Sequence, residues 1–505
     1  MKVAIRADAS GMIGSGHVMR CLTLAEMLRE KGAEPRFVCA QHAGHMIALI
    51  EERGIPVSRL PMGPVETIDP AADAEQTIAA LVAMDSKPDW MIVDHYALGS
   101  SWEARIRSVV GNIMAIDDLA DRAHDCDILL DQNLVANFEH RYDELVRPNA
   151  IRLLGPTYAL LQPEYRLLRE RSRPRNSPAR HFLVYFGGAD AAGMTARTVA
   201  ALIELGRPDI SADIVIGPSN PHAEAVHALA AGHANLDVHG MKASLAELML
   251  RADMAIGATG ATSWERLCLG LPAIVVTLAD NQRPIAAELD RLGLVRWLGD
   301  AAEVGKVELA AAIGHAATHA TEAESAATVD GWGASRVADE ILRHESEQPK
   351  IRRATADDLD LFFHWANEPE ARRQSFNSQP IPYESHVEWF NLKLSAPGCH
   401  MFVMIERGMP VGQIRFDVVN GVGEIAYSLD ASARGRGLAK TLVRLGIAEM
   451  SGYGVHSFSA KVKDGNEPSA AVFLRCGFTE GVASGYRIFH KRIQPGGDTI
   501  PDLQL

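Results

Sequence analysis

The chain opens with a short apolar run, Val3-Ala4-Ile5, that leads through Gly14-Ser15-Gly16-His17-Val18-Met19-Arg20 into a helical pattern from Cys21 to Arg29. A strand that ends in glycines and restarts as a helix is the unit of a parallel α/β sheet. Glycines at that turn let the backbone approach a ligand closely, and the helix N-terminus beyond them favours anions. A histidine there is a candidate general base. The pattern predicts a phosphate-tolerant turn with a base inside it.

The alternation continues. Further strands are expected at Val3–Arg6, Pro35–Cys39, Trp90–Val93, Ile113–Ile116 and Ile128–Leu130, with helices at Cys21–Lys31 and Ala74–Met84. Arg169–Arg180, charged and proline-bearing without apolar periodicity, reads as an interdomain linker. A second alternating unit follows: Phe182–Phe186, a Gly187-Gly188 turn, a helix from about Met194, then Ala212–Ile216, Met254–Ile256 and Ala273–Thr277. Ligands in such sheets sit at the carboxyl ends of the strands. After the polar stretch His344–Lys350 the character changes again. Helices at Asp357–Asn367 and Tyr383–Leu394 precede a meander of strands (Met401–Glu406, Val411–Val418, Gly423–Leu429). A glycine turn and helix (Ala439–Met450), the strand Ser457–Lys461 and the helix Pro468–Arg475 complete this region. The expected domains are 1–170, 180–345 and 350–493, with 494–505 a disordered tail.

Length and charge agree with this division. The 505 residues suffice for roughly three domains. Residues 1–349 hold 32 Lys+Arg against 47 Asp+Glu, while residues 350–495 hold 18 against 15. Such a charge step marks a separate C-terminal domain, and the net charge of −14 argues against general nucleic-acid binding. No apolar run reaches membrane-spanning length, and Met1–Ile5 reads as a first strand, not a signal peptide. The six cysteines lack paired spacing, which points to reduced thiols in the cytoplasm and no zinc cluster. His42 and His45 read as surface histidines, not metal ligands. Oligomeric state is not legible.

Several residues stand where chemistry is expected. His17 is the leading base, with Arg20 one helical turn beyond it. Asp94-His95-Tyr96 and Asp117-Asp118 end strands, as functional groups or as caps and turns. In the second unit, the amides of Phe186-Gly187-Gly188-Ala189-Asp190 and of Gly257-Ala258-Thr259-Gly260-Ala261-Thr262-Ser263 suit a diphosphate. Glu265 is positioned to accept from ribose hydroxyls, and Ala279-Asp280-Asn281-Gln282 follows a strand end.

The segments GSGHVMRCLTLA, DDLADRAHDCDILLDQNL, FGGAD, GATGATSWE and LADNQ, in this order over residues 1 to about 345, resemble the PseG-type UDP-sugar hydrolases of pseudaminic acid biosynthesis. These are relatives of the MurG-type glycosyltransferases with the GT-B fold. The resemblance implies two Rossmann-like domains that release UDP from UDP-2,4-diacetamido-2,4,6-trideoxy-β-L-altropyranose without a metal. It makes His17 the general base, puts Gly16, Arg20, Tyr96, Asn281 and Gln282 at the sugar, and gives Gly187, Gly188, Gly260, Thr262, Ser263 and Glu265 to UDP. A glycosyl transfer to another acceptor instead of water is the alternative.

In the third region, Arg434-Gly435-Arg436-Gly437-Leu438-Ala439 fits the pyrophosphate turn of the GCN5-related N-acetyltransferases (GNAT). Asn466-Glu467-Pro468-Ser469 followed by Phe473-Leu474-Arg475-Cys476-Gly477-Phe478 resembles a second segment of that superfamily, and HWANEPEARRQSF with HVEWF resembles its PseH-type sugar acetyltransferases. The resemblance implies a mixed α/β GNAT fold. Acetyl-CoA, a cosubstrate, would be held by Leu429, Arg434, Gly435, Arg436, Gly437, Ala439, Asn466 and Arg475, and acetyl would pass to the 4-amino group of a UDP-amino sugar. Many members carry a tyrosine general acid where this chain has Phe473, which cannot donate a proton. Glu424 is either a base acting through water or an edge-strand charge facing solvent. A module that binds acetyl-CoA or a sugar nucleotide without turnover is the alternative for this domain.

Overall fold

The computed structural model describes residues 1–493 except 12, 62–67, 85, 176, 218, 321–328 and 484. The tail 494–505 lies outside the described residues. The chain divides into two compact units, residues 1–341 and residues 342 onward.

The first unit contains two parallel sheets. The first has seven strands, β1 (Lys2–Ala7), β2 (Glu34–Ala40), β3 (Val57–Leu60), β4 (Trp90–Asp94), β5 (Asn112–Ile116), β6 (Ile128–Asp131) and β7 (Ile151–Leu154), in the order β3-β2-β1-β4-β5-β6-β7. The second has six, β8 (His181–Tyr185), β9 (Ser211–Ile216), β10 (Leu236–Gly240), β11 (Met254–Ala258), β12 (Ala273–Thr277) and β13 (Arg296–Asp300), in the order β10-β9-β8-β11-β12-β13. Helices cover both faces, so the central strands are buried on both sides and read as unbroken apolar runs such as Trp90-Met91-Ile92-Val93. The edge strands β3, β7, β10 and β13, which the apolar pattern does not announce, are half-exposed. In each sheet the strand order reverses beside the first strand, between β1 and β4 and between β8 and β11. Loops leave a crevice at such points.

Arg169–Arg180 is not a free linker. The helix Pro163–Arg169 buries Tyr165 and Leu168 in a core shared with Leu245, Trp264 and Leu267 of the second sheet's helices. Arg175 donates to the carbonyls of Met249, Leu250, Ala252, Leu269 and Gly270, at the C-terminal ends of two helices. Arg169 donates to Cys268 and Val329. These carbonyls are the unpaired ends that cations satisfy, which explains the run of arginines. The helix Gly333–Glu347 then returns to the first sheet, burying Ala334, Val337, Ala338 and Ile341 in its core. Two Rossmann-like domains, with the closing helix packed on the first, make up this unit.

The second unit has one mixed sheet: β14 (Lys350–Arg353), β15 (Cys399–Glu406), β16 (Met409–Val419), β17 (Val422–Leu429), β18 (Ser457–Lys463), β19 (Thr479–Ala483) and β20 (Tyr486–Arg492), ordered β14-β15-β16-β17-β18-β20-β19. Every pair is antiparallel except β17 and β18, which run parallel and pair only from Val422↔Ser457 to Ile425↔Ala460. Beyond Ile425 the two strands part. This is the GNAT-type sheet. All six cysteines are buried and free, and no helix among the described residues is long and apolar enough to cross a membrane.

Candidate active sites

The helix Gly16–Glu30 starts five residues earlier than its apolar pattern, so His17 and Arg20 lie in its first turns. Asp94 closes β4, which is paired with β1 at the switch point. Its carboxylate, fully buried, accepts from His17 Nδ1 at 2.6 Å and from Arg20 Nε and Nη2 at 2.6 Å each. A carboxylate only accepts, so Nδ1 carries a proton, and in the neutral imidazole Nε2 is the basic nitrogen. Burial alone would raise Asp94, but Arg20 and His17 outweigh it and hold the carboxyl far below the usual range. Arg20 also donates to Asp118 at 2.9 Å, so its guanidinium is engaged on two sides. The Tyr96 ring meets His17 edge-on with centroids 4.6 Å apart and is 41% exposed. Burial and Asp118 raise its hydroxyl pKa. A cradle is open beside this group: a Cβ on Gly14 (φ +82°) or Gly16 would meet no atom within 4 Å.

Behind it lies a second cluster. Arg6, buried in β1, holds Asp8 through two bonds of 2.6 and 2.8 Å and Asp73 at 2.6 Å. The Trp102 indole donates to Asp73 as well. His42, expected on the surface, is instead 2% exposed and lies 3.5 Å from Asp8; only His45 is exposed. The strand end β2 carries His42 inward, a placement that spacing along the chain does not reveal. His95 Nδ1 accepts from the Ala97 amide at 3.1 Å. Burial and the Arg6 charge push its pKa down to about 4, so it is neutral at physiological pH. Among the described residues no group of three His, Cys, Asp or Glu side chains is arranged to hold a metal ion.

The carboxyl edge of the second sheet carries a different surface. Gly187 (φ +94°), Gly188 and Gly260 (φ +154°) each leave open space where a Cβ would stand. Ser263 accepts from the Gly260 amide at 3.2 Å and from Arg266 at 3.1 Å, fixing the turn into the helix Ala261–Cys268. Thr262 is half-buried in that turn, and Thr259 Oγ1 is buried without a partner. Glu265 sits one turn on, bonded to Tyr165, and burial pushes its carboxyl up to about 7. Asp190 is a helix cap, accepting from the amides of Met194 and Thr195. Asn281 is exposed in the 3-10 turn Asp280–Gln282, while the Gln282 side chain accepts from the Leu278 amide at 2.8 Å.

In the second unit, Gly435 (φ +75°) and Gly437 (φ +78°) lead into the helix Leu438–Gly452, again with open space at both Cβ positions. A turn with these two left-handed positions directs amides outward ahead of a helix N-terminus, the geometry that suits a pyrophosphate. Leu429 is buried at the end of β17 and Ala439 half-buried in the helix. Arg434 pairs with Glu368 and Arg436 with Glu406. Asn466 caps the helix Glu467–Arg475, while Arg475 is exposed at its end. Glu424 is exposed on β17, an interior strand, and pairs with Lys461 at 2.9 Å.

Residues 350–479 match the acetyltransferase (GNAT) domain family. The UDP-2,4-diacetamido-2,4,6-trideoxy-beta-L-altropyranose hydrolase of Campylobacter jejuni is 27% identical over 296 residues, covering 58% of this chain and 97% of that protein. That stretch is too long for the second unit. An uncharacterized protein of Methanocaldococcus jannaschii, MJ1062, is 24% identical over 406 residues, covering 77% of this chain and 78% of that protein. This match exceeds the first unit's 341 residues, so it crosses the junction. Among solved structures, Acinetobacter baumannii MurG is similar with a TM-score of 0.48 and 17% identity, covering 68% of this chain and 99% of that one. Residues 350–479 thus carry a GNAT acetyltransferase domain, in a chain that is similar over 58% of its length to a UDP-sugar hydrolase.

Proposed function

We propose that the protein catalyses two consecutive steps on one sugar nucleotide. The second unit transfers acetyl from acetyl-CoA to the 4-amino group of UDP-4-amino-4,6-dideoxy-N-acetyl-β-L-altrosamine. The first unit then hydrolyses the product, UDP-2,4-diacetamido-2,4,6-trideoxy-β-L-altropyranose, to UDP and the free sugar of pseudaminic acid biosynthesis. The observation that carries the hydrolytic reading is the His17–Asp94 pair, with Nδ1–H tied to the carboxylate.

In this reading His17 Nε2 takes a proton from water as the water attacks the anomeric carbon. The C–O bond to UDP breaks and its electron pair leaves with the diphosphate. The amides of Gly187, Gly188 and the Gly260 turn stabilise that charge, and Glu265 accepts from the ribose. Gly16, Arg20, Tyr96, Asn281 and Gln282 surround the sugar, with Arg20 acting through Asp94. Acetyl-CoA is held at Arg434–Ala439 with Leu429, Asn466 and Arg475, and Glu424 takes the proton of the acceptor amine through water. Both substrates are small cytoplasmic metabolites, and the cytoplasm is where we place the protein.

Mass spectrometry of the products formed from the UDP-4-amino sugar tests this reading. With acetyl-CoA, coenzyme A, UDP and the diacetamido sugar are expected without any added acceptor. Release of UDP only when a second sugar acceptor is supplied would replace hydrolysis by glycosyl transfer. Absence of coenzyme A release would reduce the second unit to a binding module.

A further inference from the structure

Phe473 stands where a phenolic general acid is expected, and it is sealed in the core. It is 3% exposed, with ring centroids at 5.1 Å from Phe478, 5.5 Å from Phe489 and 5.7 Å from Tyr427. The last of these rings has the hydroxyl that Phe473 lacks. Tyr427 lies on β17 two residues past Ile425, the last residue paired to β18, so it borders the gap where the strands part. Its hydroxyl donates to Ser469 Oγ at 3.2 Å. Ser469 lies in the first turn of the helix Glu467–Arg475, its amide held by the Asn466 side chain at 3.2 Å. In this bond the Ser469 oxygen accepts, which leaves its own hydrogen to donate. Burial pushes the Tyr427 hydroxyl up to about 12, so it stays protonated through the physiological range.

We propose that Tyr427 and Ser469 form a two-hydroxyl relay that protonates the coenzyme A thiolate, replacing the acid missing at Phe473. The inference rests on the acetyl-transfer reading of this domain. The acceptor amine bonds to the acetyl carbonyl carbon, and the C–S bond breaks with its pair on sulfur. The Ser469 hydroxyl proton passes to sulfur, and the Tyr427 proton passes to Ser469 Oγ. The proton that the nitrogen loses to Glu424 through water returns through solvent to Tyr427. Amine and thioester become amide and thiol, with nothing left over.

The test is the release of free thiol from acetyl-CoA with the UDP-4-amino sugar, followed colorimetrically in the full-length protein. Tyr427→Phe and Ser469→Ala each remove one hydroxyl and keep the packing. Each is expected to lower kcat by about 10- to 100-fold and to leave the KM for acetyl-CoA within about twofold. The double variant falls no further than the weaker single one, because the two act as a unit. Ser469→Thr, which keeps the hydroxyl, recovers most of the rate. A kcat within twofold of wild type in Tyr427→Phe, or a loss confined to KM, overturns the relay while leaving acetyl transfer in place. A wild-type protein that releases no thiol overturns the acetyl-transfer reading and the relay with it.

Discussion

At the carboxyl edge of the first sheet, Arg6, Asp8, His17, Arg20 and Asp94 are buried and hydrogen-bonded in two clusters. At the same edge of the second sheet, Gly187, Gly188 and Gly260 leave open space, with Ser263, Glu265 and the helix-capping Asp190 beside it. Both sheets are parallel, and both reverse strand order at the first strand. Shared topology thus sets where a ligand goes but not what happens to it. A base that must hold one tautomer needs a buried, pre-paired carboxylate. A diphosphate needs unobstructed amides.

The sharpest way to break this division of labour is His17→Ala. It removes the proton acceptor and should lower UDP release by about 10²- to 10⁴-fold, with acetyl transfer unchanged in the same preparation. UDP release near the wild-type rate would take proton transfer away from the first sheet. Asp94→Asn comes next. It removes the charge that orients His17 and leaves the Arg20 cation buried with one partner fewer. Activity should fall by about a hundredfold and stability by about 3–5 kcal/mol, read from urea unfolding. Stability unchanged with activity lost would mean that Arg20 does not depend on this pair.

Gly188→Ala probes the other edge. No atom lies within 4 Å of its Cβ position and its φ is not in the left-handed region, so the thermal midpoint should hold. The methyl occupies ligand space, so the KM for the UDP-sugar should rise about tenfold, or ~1.4 kcal/mol. A variant with unaltered KM would move the diphosphate elsewhere.

The smallest effect is a pH dependence. Glu265 keeps its proton to about pH 7, above its ordinary 4.5. Ribose hydroxyls donate best to the carboxylate, so KM should fall a few-fold from pH 6 to pH 8 in wild type and stay flat in Glu265→Gln. The sign for folding is opposite. The unfolded chain loses this proton first, so the group's contribution to stability declines as pH rises from 4.5 through 7. A wild-type KM independent of pH would remove Glu265 from the nucleotide site.

Much of this was legible along the chain. Central strands such as Trp90–Asp94 and Ala273–Thr277 are buried on both faces, so their apolar runs stand out. The glycine turns were legible because only glycine accepts a positive φ freely. The edge strands escaped notice because half their residues face solvent. His42 escaped too, because loop burial has no sequence period. The arginine-rich stretch read as a solvated linker, although its charges neutralise helix ends far away in sequence.

The sequence by itself determined the alternation of strands and helices, the four glycine turns and the junction near residue 345, all of which follow from local propensity and short-range pattern. Only the tertiary structure decided that Asp94, 77 residues from His17, is its partner, that Arg6 is buried with two carboxylates, and that Tyr427 shares a hydrogen bond with Ser469. Those pairings depend on which strand ends become neighbours. Strand order is set by the packing of whole sheets and not by any segment within them.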